Sequence, residues 1–167
     1  MTRSAYRCGN ELTYETLPWC RPSPAEPGAP ARRQLEQVVA RARAYNADPG
    51  RLLTVAELTV LGTGPGPGGC CGGGLLVAVA AVRREGDRDA YVRKVLAYAR
   101  ASGRRFGAFH ELLYWPDREL RLVLKNRSPA ISITDQDGSR LAGRGELVYA
   151  ASEDPDAIAP APGAARP

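Results

Sequence analysis

An α+β fold, a small mixed β-sheet with helices packed on one side, is the class that this 167-residue sequence predicts. Three observations predict it. Apolar residues return at helical spacing in three separate stretches, 31–46, 89–102 and 116–126. Two apolar runs rich in branched residues, 55–61 and 75–82, bracket a glycine-rich turn from Gly62 to Gly74. Two short segments, 130–134 and 146–150, follow the last helical stretch and read as further strands.

Taken in order, residues 1–30 read as a Pro-rich N-terminal arm, because Pro18, Pro22, Pro24, Pro27 and Pro30 break any helix and push their predecessors towards extended backbone. Tyr6, Tyr14, Leu17 and Trp19 are the residues expected to dock the arm onto the body. In the first helix Leu35, Val38, Val39, Ala42 and Tyr45 form one apolar stripe, with Arg32, Arg33, Arg41 and Arg43 expected in solvent. Asn46, Asp48-Pro49 and Gly50 stop it. The run 55–61 alternates only partly, as a strand buried on at least one face does, and 75–82 is apolar throughout, as a central strand is.

The second helix places Tyr91, Val95, Tyr98 and Ala99 on one face and ends at Gly103, where Arg100, Arg104 and Arg105 complement the helix dipole. Phe106 to Tyr114 is a short apolar segment. Pro116 with Asp117 behind it starts a third helix, carrying Leu120, Val123 and Leu124. Residues 135–138 read as a turn between the last two strands. The body is thus assigned to 31–150, and 151–167 to a disordered Pro/Ala-rich tail with nothing to bury.

Composition narrows the function classes only a little. The net charge is +5, and all but Lys94 and Lys125 of the 23 basic residues are arginine. Guanidinium forks suit phosphate or carboxylate partners, although GC-biased coding gives the same usage. Cys8, Cys20, Cys70 and Cys71 contain no C-x-x-C pair, and His110 is remote from them, so no metal framework is predicted. The first residues lack the apolar core of a signal peptide and no run reaches membrane-spanning length, so the expectation is a cytoplasmic protein with reduced thiols and no membrane partner.

The glycine turn is the feature that invites chemistry, since glycines let backbone amides approach an anion. Yet no Asp, Glu, Lys, His or Ser lies between Leu58 and Val82. The helix ending Tyr45-Asn46-Ala47-Asp48-Pro49, the strand Val55-Ala56-Glu57-Leu58-Thr59-Val60-Leu61 and the following Gly62-Thr63 resemble the opening of polymerase-beta-like minimal nucleotidyltransferase domains, and 89–106 and 115–132 resemble the downstream part of a bacterial subfamily. The resemblance spans 31–135. It implies a strand, a Gly-Ser motif (here Gly62-Thr63), and a second strand bearing two metal-binding aspartates, where this chain has Gly73-Gly74-Leu75-Leu76-Val77-Ala78-Val79.

Gly74 and Leu76 stand at those aspartate positions, and neither can ligate the Mg²⁺ that two-metal transfer requires. Gly62, Thr63 and Gly64 remain as nucleotide-binding candidates through backbone amides and one hydroxyl. Asp135 is the candidate for a third family carboxylate. The expectation is a nucleotidyltransferase-like protein that has lost metal-dependent transfer and binds a nucleotide or a partner protein, with no cofactor. Two alternatives stand beside it: an active transferase whose Mg²⁺ is held by displaced carboxylates (Glu85, Asp87 or Asp135), and an Arg-rich nucleic-acid-binding accessory protein.

Overall fold

The computed structural model of the protein describes residues 29–64, 74–135 and 145–161. Helix α1 (Ala29–Ala47) leads into the hairpin β1 (Leu53–Gly64) and β2 (Gly74–Arg83), followed by α2 (Arg88–Ala101), a single turn α3 (Phe109–Leu113), α4 (Trp115–Lys125), β3 (Ile131–Asp135) and β4 (Glu146–Ala150). The strands form one sheet in the order β3-β2-β1-β4, with β1 antiparallel to both β2 and β4, and β3 parallel to β2. This is the mixed sheet of an α+β protein.

Bulges explain why β1 alternates poorly in sequence. Ala56 is an extra residue between the pairs Val55–Ala81 and Glu57–Ala80, and Leu61 is another between Val60–Val77 and Gly62–Leu76. Each extra residue reverses the parity of the strand. The residues sharing the core face are therefore Leu53 and Val55 before the first bulge and Leu58 and Val60 after it. Leu75, Val77 and Val79 of β2 lie across from or beside them, and Ile131 and Ile133 of β3 continue the face.

The helices cover that one face. Val38, Ala42 and Tyr45 of α1, Tyr91 and Val95 of α2, and Leu120 and Leu124 of α4 join the strand residues in a single buried cluster. Helix α2 begins on Asp87, whose carboxylate accepts the Ala90 N–H at 2.7 Å, and α4 ends on Asn126 in the left-handed region at φ 45°. Arg41, expected in solvent, is half-buried and donates to the Leu124 carbonyl at 2.9 Å, so it ties α1 to the negative end of α4.

Two further departures from the sequence reading have local causes. Arg104 does not serve the end of α2; its guanidinium lies over the Trp115 ring, 4.3 Å from the centroid, while Phe106 meets the same ring edge-on at 5.7 Å. Residues 151–161 are not a free tail. After a 3₁₀ turn at Ala151–Glu153, the Ile158 N–H donates to the Asn46 carbonyl, the Thr54 hydroxyl donates to the Ile158 carbonyl at 2.9 Å, and the Ala161 N–H donates to the Arg84 carbonyl. The segment straps the end of α1 to the start of β1 and the end of β2. Residues 1–28, 65–73, 136–144 and 162–167, and with them the N-terminal arm and the turn expected at 135–138 beyond Asp135, lie outside the described residues.

Candidate functional site

The sheet register places each candidate residue. Gly62, Thr63 and Gly64 do not open a helix or a turn; they continue β1, opposite Leu76, Leu75 and Gly74 respectively. Gly62 has φ 126°, a conformation that side chains resist, immediately after the Leu61 bulge. The glycine therefore serves strand continuity. Gly62, Gly64, Gly74 and Leu76 are brought together on one face at the far end of the hairpin.

Asp135 is not brought to them. It pairs with Val79, three residues along β2 from Leu76, or roughly 10 Å at the rise of a strand. Moreover, it shares the helix-covered face with Ile131 and Ile133, whereas Leu76 and its neighbour Ser132 face the opposite side. Glu57 is on the same side as Leu76 but lies opposite Ala80, four β2 residues away. Glu85 and Asp87 lie beyond the other end of β2, where Glu85 pairs with Lys94 at 2.7 Å and Asp87 caps α2. The bond to Lys94 holds the Glu85 carboxyl below its usual range.

A divalent cation does not fit this register among the described residues, because glycine and leucine offer no oxygen ligand, Asp135 lies on the opposite face and Glu57 is about 13 Å along the strand. Among the described residues, no three His, Cys, Asp or Glu side chains group so that they can hold a metal ion.

The polar clusters that do form come from residues distant in sequence. Asn46, fully buried, donates from Nδ2 to the Val55 carbonyl at 2.9 Å and to the Tyr149 hydroxyl at 2.7 Å, and accepts the Val55 N–H on Oδ1 at 2.8 Å. The Tyr149 hydroxyl in turn donates a hydrogen bond to the Asp154 carboxylate at 2.8 Å. Arg84 caps the end of α1, donating to the carbonyls of Asp48 at 2.6 Å and Asn46 at 2.8 Å. Arg51 joins Asp48, Tyr98 and Glu119, at 2.9, 2.8 and 2.9 Å.

Tyr98 also donates to Glu119, and burial followed by the Glu119 carboxylate pushes its hydroxyl up to about 12. On the same side of the sheet Arg121 pairs with Asp135, and burial, with the nearby Asp135 charge, raises the carboxyl of Asp117. The Arg83 guanidinium lies over the Tyr91 ring, 4.7 Å from its centroid, and among the described residues Arg83 Nε and the Tyr91 hydroxyl are buried without a hydrogen-bond partner. The Asn46, Arg84 and Arg51 clusters spend their donors and acceptors on one another and on helix ends, so they act as fasteners.

Exposed apolar and basic groups lie elsewhere. Phe109 and Tyr114 around α3 are about two-thirds exposed, and Arg105 and Arg118 nearby are also exposed. An open groove runs between α1 and β4, lined by Leu35, Glu36, Val39, Ala40, Arg43 and Val148. No signal in single residues marks either surface; both follow from how the elements pack. No protein-family model, curated protein or solved structure matches the chain.

Proposed function

We propose that the chain is a nucleotidyltransferase-like domain that has lost metal-dependent nucleotidyl transfer and works as a partner-binding module. The observation that carries this reading is the register: Leu76 sits beside Gly62 and Ser132, while Asp135 lies further along and on the opposite face. Two-metal transfer requires carboxylates converging on ions about 4 Å apart.

Partner binding is favoured over nucleotide binding by the conformation of Gly62, Thr63 and Gly64. A phosphate cradle aims successive amides at one point, whereas strand amides alternate between the two edges. The test is thermal melting with and without Mg²⁺-ATP or Mg²⁺-GTP, alongside label transfer from an α-labelled nucleotide. The expected result is no Mg²⁺-dependent shift and no transfer; either signal overturns the reading.

One observation favours a second reading, a nucleic-acid-binding accessory protein. Exposed Phe109 and Tyr114 beside Arg105 and Arg118 combine stacking faces with positive charge. Binding to single-stranded oligonucleotides that weakens steeply with salt supports it, and no binding at low salt removes it.

A further inference from the structure

We infer that the groove between α1 and β4 is the seat of the chain's own N-terminal arm, with Leu17 and Trp19 packed against Leu35, Val39 and Val148. The groove has a volume of about 520 Å³, and its apolar floor is continuous with the core, because Leu35, Val39 and Val148 all pack against the buried cluster. Val148 is turned towards α1 by a bulge, since it is the extra residue between the pairs Leu58–Tyr149 and Thr59–Leu147.

The length of chain ahead of α1, and where it joins, selects the occupant. Residues 1–28 precede Ala29, the first residue of the helix that forms one wall. Ten residues separate Trp19 from Ala29, an extended reach of about 33 Å. Val39 lies ten helical residues beyond Ala29, about 15 Å. A fold-back onto the groove is therefore within reach.

Spacing and charge agree with that path. Leu17 and Trp19, two residues apart around Pro18, span about 7 Å in extended backbone. Leu35 and Val39, one helical turn apart, span about 6 Å. A strand folding back along α1 runs against the helix direction, which brings Glu15, about 7 Å beyond Leu17, to the Arg43 end of the groove, a meeting of opposite charge. A tethered segment also meets the groove at a millimolar effective concentration, which a second copy of the chain does not reach at micromolar protein.

Cysteine trapping in the full chain tests the arrangement. Cys20, next to Trp19, is kept while Cys8, Cys70 and Cys71 are changed to Ser, and a partner thiol is introduced by Ala40→Cys at the groove lip or by Glu36→Cys one turn away. Arg93→Cys, exposed on α2, is the control, and a thiol oxidant such as diamide takes up the two electrons and two protons released by each disulfide. The expected result is an intrachain disulfide from Cys20 to the groove thiols, formed at least about tenfold faster than to the control and seen as faster migration of a non-reduced monomer. Equal rates at groove and control positions overturn the inference. So does a disulfide-linked dimer formed preferentially through the groove thiols, which assigns the groove to a second copy.

Discussion

Asn46 and Tyr149 stand 103 residues apart in the chain and share a 2.7 Å hydrogen bond in the interior. Through it the last turn of α1, the start of β1 and the edge strand β4 are held at one point, because the same Asn46 amide also takes both backbone groups of Val55. A bulge on β4 and the strap 151–161 converge here as well. Asn46→Ala leaves the Val55 N–H and carbonyl buried without partners and deprives Tyr149 of its donor. The expected loss is about 3 kcal/mol, read as a lower urea midpoint at unchanged slope. A change under about 1 kcal/mol, after correction for any helix gain of Ala at this position, contradicts the clamp.

The attachment of β4 depends on Gly145. A Cβ placed there meets the Val60 carbonyl oxygen at 2.6 Å, and backbone cannot yield as a side chain tip does. Gly145→Ala is expected to peel β4 from β1, with faster amide exchange at Leu147 and Tyr149 and little change in β2 or β3. Uniform acceleration across all four strands argues instead for a general loss of stability.

Alkaline stability follows from the tyrosines. Burial raises the hydroxyls of Tyr98 and Tyr149 to about 12, helped by Glu119 and Asp154 respectively. Since the folded pKa lies above the unfolded value near 10, the folded state holds these protons more tightly. Their contribution to stability is complete below pH 10 and is lost as pH rises towards 12. Denaturation midpoints measured from pH 8 to pH 12 are expected to fall in that upper window, and Tyr98→Phe to fall less steeply there. A Tyr98→Phe profile parallel to the parent assigns the alkaline loss to other groups.

What the sequence reveals and what it conceals divide along a physical line. Helix stripes, the hairpin runs and Pro116 with Asp117 behind it are local patterns, and the element order follows from them. The partial alternation of 55–61 is a trace of the Ala56 bulge, but parity alone does not say where an extra residue lies. Placing Asp135 on the face opposite Leu76 requires the register of two strands separated by three helices. The roles of Arg104 and Arg51 depend likewise on rings and carboxylates from other elements, Trp115 for the first and Tyr98 with Glu119 for the second. Residues 151–161 look unable to bury anything, yet their backbone groups serve Asn46, Thr54 and Arg84, a use that composition does not record.

Restoring the two aspartates that the family resemblance implies gives a direct test of the register. Gly74→Asp with Leu76→Asp places carboxylates on the face away from the helices, opposite Gly64 and Gly62. Asp135 stays on the helix side, paired with Arg121, roughly 10 Å along the sheet. Two carboxylates on one face can bind a divalent cation weakly, but they lack a third ligand from Asp135 to fix a second ion against an attacking hydroxyl. The double variant is therefore expected to show at most a small Mg²⁺-dependent rise in melting temperature and no transfer from α-labelled ATP or GTP. Gly74 is buried, so far-ultraviolet circular dichroism must first establish that the variant is folded; a folded Leu76→Asp single variant serves where the pair is not. Mg²⁺-dependent transfer by either folded variant means that the third ligand comes from elsewhere, and the domain is then one substitution or two away from an enzyme.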